Sequence, residues 1–250
     1  MPEDPADHPT PAPPARPTLR ERRRAAATRE ILEAAERHLT ERGPAALSLR
    51  AVARDLGMTV QALYHYFPHR DALVTALITK TYEDLADALQ AATADPARDP
   101  ELPGLVVVAE AYRGWAVANP ERFQLIYGTP LRDYAAPVDG PTTAAVRRMG
   151  AIFQREVFHG YPRERLAAVA GPAPSPAFQA ALTSPDGLPP AAGVLFLSAW
   201  GHLHGLVVLE VFGHTGFLGE HQAELFRLST RAYHADLHRR ITGTDGPSGG

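Results

Sequence analysis

The chain has 250 residues, a formal net charge of −3 and no cysteine. That length leaves room for one or two domains with a sizeable core, and the missing cysteine excludes disulfides, zinc fingers, thiolate nucleophiles and thiol redox switches. Charge is unevenly divided: residues 16–80 hold 12 Arg and Lys against 7 Asp and Glu, and the remainder holds 13 against 21. A basic module beside an acidic one is the pattern of a nucleic-acid reader joined to a part that avoids nucleic acid.

Residues 1–17 are proline-rich and without periodicity, which predicts a disordered arm. No basic start leads into an apolar run, so no secretory signal is expected and the chain reads as cytoplasmic. Thr18 and Glu21 have the spacing of a capping box that opens a helix to about Arg42. Ile31, Leu32, Ala35 and Leu39 form its apolar stripe, and Gly43-Pro44 closes it.

The most specific stretch is 48–67. Val52, Ala53 and Leu56 line one face of a short helix, and Gly57 stops it. Thr59 caps a second short helix in which Leu63 and Phe67 point inward. Gln61, Ala62, Tyr64, His65 and Tyr66 are left outside. A helix-turn-helix lays such a second helix in the DNA major groove.

A long amphipathic helix is predicted over 69–92, before a proline-bounded break at 96–103. Helices over 105–118, from Asn119-Pro120 onward and over 142–158 follow, with an irregular loop at 171–190. Two further helices cover 191–212 and 219–241, and residues 246–250 form a frayed tail. About nine helices and no strand give an all-α chain. Its expected parts are a helix-turn-helix domain at 18–80, a helical effector-binding and dimerisation domain at 81–241, and a flexible tail at 242–250.

The 191–212 segment is apolar nearly all round and long enough to cross a bilayer. His202, His204 and Glu210 interrupt it and no basic flank orients it, so burial between the core and a second subunit is the better reading. Gly201 and Gly205 lie one turn apart and permit close approach of another helix.

Arg50, Ala53, Gly57, Leu63-Tyr64, Tyr66-Phe67 and Arg70-Asp71-Ala72-Leu73 together resemble the TetR family of transcriptional regulators. Trp200 with His204-Gly205 resembles the Trp-His-Gly pattern of one C-terminal subclass, as do Ala111-Tyr112, Asn119-Pro120 and 123–128 for the start of that domain. The resemblance implies an all-helical homodimer with an N-terminal DNA-binding domain and a C-terminal domain for a small effector and dimerisation. It implies DNA contact by Arg50 from the first helix of the motif and base reading by Thr59, Gln61 and Ala62. Tyr64, Tyr66 and Arg70 match positions that touch the backbone. His65 joins them on the outer face. His69 stands where a small capping serine is frequent, and Val60 is apolar where a base can be read.

Arg20, Arg22, Arg23 and Arg24 fit either a basic arm on DNA or a solvated helix start. Tyr112, Trp115, Phe123, Tyr127, Phe153 and Trp200 fit either the walls of an apolar pocket or ordinary core, with His204 as a polar handle. His234 and His238 share a helix face, but no third ligand is evident, so no metal is expected. No nucleophile elbow, phosphate-binding glycine loop or HExxH occurs, so neither catalysis nor a cofactor is expected. The expected partners are a pseudo-palindromic duplex, an apolar effector and a second copy held through the last two helices, with no membrane. The rival reading is a helical binding protein or enzyme with a vestigial DNA-binding domain.

Overall fold

The computed structural model describes residues 18–44, 47–128, 134–169, 171, 174–182 and 187–243. The arm expected over 1–17 and the tail from 244 onward lie outside the described residues. The helices are α1 (Leu19–Arg42), α2 (Leu49–Asp55), α3 (Val60–Tyr64), α4 (Arg70–Ala94), α5 (Gly104–Ala118), α6 (Pro120–Tyr127) and α7 (Pro141–Val157). Then come α8 (Arg163–Ala167), α9 (Pro176–Ala181), α10 (Pro190–Val211), a 3-10 segment (Gly216–His221) and α11 (Gln222–Thr242). Among the described residues there is no strand.

Among the described residues there are two more helices than the nine read from the sequence. α8 is a single turn started by Pro162, and α9 is capped by Ser175 with Pro176 in its first turn. α9 lies inside the 171–190 stretch whose Pro, Ala and Ser content looked like loop, and α8 lies before it, where no element was read.

Local chemistry accounts for the element ends. The Thr18 hydroxyl accepts from Glu21 N while the Glu21 carboxylate accepts from Thr18 N, completing the capping box. His69 replaces the usual serine in kind, because its Nδ1 accepts from Ala72 N at 3.1 Å and caps α4. Gly57, at φ 62°, makes the left-handed stop between α2 and α3.

Two clusters of buried side chains result. The first joins Ile31, Ala35 and Leu39 of α1, Val52 and Ala53 of α2, Leu63 and Phe67, and Leu73, Val74 and Leu77 of α4. The second joins Leu85 and Leu89 of α4 with α5, α7, α10 and α11. α4 therefore passes through both, and the boundary expected at residue 80 falls inside one continuous helix.

α6 spans the same seam. Leu125 packs in the first cluster and Phe123 in the second. Between them Arg122 meets Glu36 of α1 at 3.4 Å and bonds to Asp84 of α4. Lys80 Nζ lies 3.0 Å from Glu36 and 2.7 Å from Asp84. Burial alone would raise the Asp84 carboxyl, but Lys80 and Arg122 outweigh it and hold its pKa below the ordinary value.

Arg122→Ala should remove about 1–3 kcal/mol of stability, between the worth of exposed and buried pairs, in urea denaturation. A depressed carboxylate contributes stability above the unfolded pKa of about 4 and loses it as pH falls through the folded value. The acid-side loss of stability below about pH 4 should accordingly flatten in this variant. An unchanged acid limb would mean that Asp84 does not depend on Arg122.

Candidate functional site

α2 and α3 meet across a tight turn in which Met58 N donates to Ala53 O at 2.9 Å. Leu63 is fully buried and Phe67 nearly so, which fixes the roll of α3. Gln61, Tyr64 and His65 are consequently exposed, Tyr64 at 42 %, as is Arg50 on α2. With Thr59, which is exposed too, five of the nine residues expected to face DNA thus stand on an open surface.

Thr59 and the remaining four have local roles. The Thr59 hydroxyl accepts from Ala62 N at 3.1 Å and caps α3. Ala62 is half-buried, and Val60 packs against the first cluster. Tyr66 is half-buried beneath the Arg24 guanidinium, which lies 5.3 Å from its ring centroid. Arg24 also donates to the His65 carbonyl at 3.1 Å, bracing α1 against the end of α3. Sequence reasoning left Arg24 between a basic arm and a solvated helix start, since nothing in one-dimensional spacing signals a contact 41 residues away. Arg70 is half-buried and its Nε donates to Leu47 O at 3.3 Å.

Six of the seven expected ligand-site residues form one ring cluster. Tyr112 lies within 5.2–6.4 Å, centroid to centroid, of Phe123, Tyr127, Phe153, Trp200 and His204. Trp200 and His204, four residues apart on α10, stack at 5.2 Å and 12°. Trp115 is the exception: it faces the seam and carries Arg122 5.7 Å over its ring. Tyr112, Phe123 and Phe153 form the closed floor, whereas Tyr127, Trp200 and His204 are half-buried.

The cluster has one polar axis. The Tyr112 hydroxyl and His204 Nδ1 are hydrogen-bonded at 2.7 Å. Burial pushes the Tyr112 and Tyr127 hydroxyls up and His204 down, so all three are neutral near pH 7. Charge is held elsewhere: Arg113 pairs with Glu210 through two nitrogens, Arg148 with Asp87 and Arg147 with Asp139. These three arginines are therefore occupied within the chain. Among the described residues no group of three or more His, Cys, Asp or Glu is arranged to hold a metal. His238 bonds to the Tyr161 hydroxyl at 2.6 Å.

Comparison with known proteins agrees with this geometry. The sequence profile described as "Tetracyclin repressor-like, C-terminal domain" matches residues 105–233, and "Bacterial regulatory proteins, tetR family" matches residues 31–77. Over 192 residues the chain is 38% identical to HTH-type transcriptional regulator Rv1816 of Mycobacterium tuberculosis (strain ATCC 25618 / H37Rv), covering 75% of this chain and 81% of that protein. The solved structure of regulatory protein SCO4313 aligns with TM-score 0.68 and 35% identity, over 86% of this chain and 98% of that one. A protein of unknown function from Rhodococcus sp. RHA1 shares the fold at TM-score 0.62 and 23% identity, over 84% and 94% of the two chains.

Tyr112→Phe should cost about 1 kcal/mol, because it leaves His204 Nδ1 without its partner. His204 has a folded pKa below the unfolded 6.5, so the stability it lends is complete above pH 6.5 and is lost as pH falls below that value. His204→Phe should remove this part of the pH dependence in urea titrations at pH 7.5 and 5.5. Identical pH dependence in the two proteins would rule out His204 as its source.

Proposed function

The chain belongs to the TetR family of DNA-binding transcriptional regulators, and from that premise we propose a cytoplasmic repressor released from its operator by a small apolar effector. As a regulator of this family it is not an enzyme. The observation that carries the proposal is the split of α3 into a buried side, Leu63 with Phe67 behind it, and an open side, Gln61, Tyr64 and His65. A helix held rigidly from behind with polar and aromatic groups outward is suited to reading base edges. Gln61 is the base reader in this proposal. Arg50, Tyr64 and Arg70 contact phosphates, and Thr59, Val60, Ala62 and Tyr66 shape the helix that carries them.

A second copy of the chain supplies the other half-site. On α10, Leu197, Gly201, Gly205 and Leu209 follow one another at four-residue spacing, with Leu197 and Leu209 exposed. A Cβ added at Gly201 or Gly205 would meet nothing within 4 Å. Leu225 and Leu228 of α11 are exposed as well. Only 28% of the most apolar 18-residue window of α10 is buried within one chain, though that helix is long and apolar enough to cross a membrane. Contiguous apolar surface of this kind supports an obligate interface, here a bundle of α10 and α11 from two subunits. Such a dimer presents its two α3 helices to a pseudo-palindrome about one DNA turn, 34–36 Å, apart.

The effector site in this reading is the ring cluster, entered past Tyr127, Trp200 and His204. Its neutral groups and internally paired arginines favour an uncharged, largely apolar molecule oriented by His204 or a tyrosine hydroxyl. An effector preferring the DNA-incompetent arrangement lowers operator affinity, and operator DNA lowers effector affinity by the same factor.

Gln61→Ala should relax preference at one base pair per half-site, at about 1–3 kcal/mol of discrimination, with overall affinity for unrelated duplexes unchanged. Arg50→Gln should weaken binding to all sequences and reduce the salt slope by about one per half-site. Fluorescence anisotropy on an operator series at several salt concentrations separates the two outcomes. Light scattering should give a dimer that Leu228→Arg dissociates. A monomer at micromolar concentration, or unaltered base preference in Gln61→Ala, would defeat the corresponding part of the proposal.

A further inference from the structure

A second candidate ligand site lies where α8, α9 and the first turn of α10 meet the last turn of α11. A cavity of about 300 Å³ opens there between Val169, Pro190, Ala191, Val194, Leu195 and Arg240. Arg240 is the single charged residue among the described lining residues. Its neighbours are engaged: Arg163 donates to the Gly187 carbonyl, Arg165 to the Thr242 carbonyl at 3.4 Å, and Arg239 to Asp236 at 3.2 Å. Arg240 makes no hydrogen bond or ion pair with any described residue. The wall on the α9 side is held against α10 by Leu182, which lies at van der Waals distance from a Cβ placed on Gly193.

We infer that this cavity binds a small amphipathic monocarboxylate. Its apolar tail lies against Val169, Val194 and Leu195, and its carboxylate meets the Arg240 guanidinium. The volume is at the lower end of the range that small ligands occupy. A guanidinium presents two parallel donors that match a carboxylate, a charge-assisted pair stronger than neutral hydrogen bonds. A neutral apolar ligand would gain nothing from that fork, which is exposed at the mouth of the cavity. A dianion would have only one cation to meet it among the described walls.

The site is separate from the ring cluster. Val194 precedes Trp200 by six residues on α10, roughly 9 Å along the axis at 1.5 Å per residue. The inference goes beyond the effector reading above and stands whether or not the ring cluster binds a ligand.

Isothermal titration of the full chain with octanoate and with 1-octanol tests it. Octanoate should bind saturably and about tenfold or more tightly than the alcohol, as expected for one charge-assisted pair. Arg240→Gln should bring the two affinities together, and Val194→Phe should abolish both by filling the cavity. Ala191→Phe provides a second filled variant if Val194→Phe is poorly folded by circular dichroism. Trp200→Phe, which alters the ring cluster alone, should leave octanoate binding intact. Equal affinities in the unmodified protein, no saturation at millimolar octanoate, or unchanged binding in Arg240→Gln would overturn the inference. So would binding that Trp200→Phe removes and the filled variants retain.

Discussion

The rest of the structure depends on one polar seam between two apolar cores. α4 leaves the first core after Leu77 and enters the second at Leu85, and Lys80, Thr81 and Asp84 occupy the interval. Charges in such a place are tolerated only when paired, because stripping water from a lone carboxylate or ammonium costs more than neighbouring packing returns. Glu36, Lys80, Asp84 and Arg122 satisfy that condition together, and they come from three different helices. The pairing is therefore possible in one relative placement of α1, α4 and α6. A purely apolar seam would have held the modules together with less say over their angle.

That placement matters because α1 is gripped at two points. Glu36 joins it to α6 and α4, and Arg24 joins it to the end of α3. Twelve residues separate the grips, roughly 18 Å of continuous helix. α6 in turn contributes Phe123 and Tyr127 to the ring cluster. A chain of direct contacts thus runs from the cluster through Arg122 to α1 and from α1 to α3. Contiguity supplies a route and not a coupling energy: a ligand changes the DNA-reading face only by binding two arrangements of this seam unequally.

The parts of this architecture written in local code were legible in the sequence. Thr18, Gly57, Thr59 and Asn119-Pro120 signal helix ends through chemistry confined to a few residues, and the structure has ends at each. Periodicity likewise placed Leu63 and Phe67 inward. What depended on distant partners was not legible. Tyr112 and Trp115 sit one turn apart on α5 and both are buried, yet one faces the ring cluster and the other Arg122. α10 is apolar nearly all round, so its sequence carries no period to say which side goes in. Packing decides for Ala192, Leu195, Ala199, Leu203 and Val207, and leaves the glycine and leucine row outside. Pairing of Arg113 with a carboxylate 97 residues away was equally invisible.

Those distant pairs also explain why a chain of net negative charge can read DNA. Formal charge counts every arginine alike, but the field outside the molecule is set by cations that no neighbouring carboxylate cancels. In the C-terminal module Arg113, Arg122, Arg147, Arg148 and Arg227 each lie against an acid. In the N-terminal module Arg20, Arg22, Arg23, Arg50 and Arg54 are exposed and bonded to no described carboxylate. Unpaired positive charge is thereby concentrated around α1 and α2, beside α3, and the acidic surplus is left on the module that should stay clear of phosphates. Over a Debye length of about 8 Å at physiological salt, a duplex responds to that local surface and not to the total of −3. In the proposed reading, the same partition would turn an approaching duplex toward the face that carries α3.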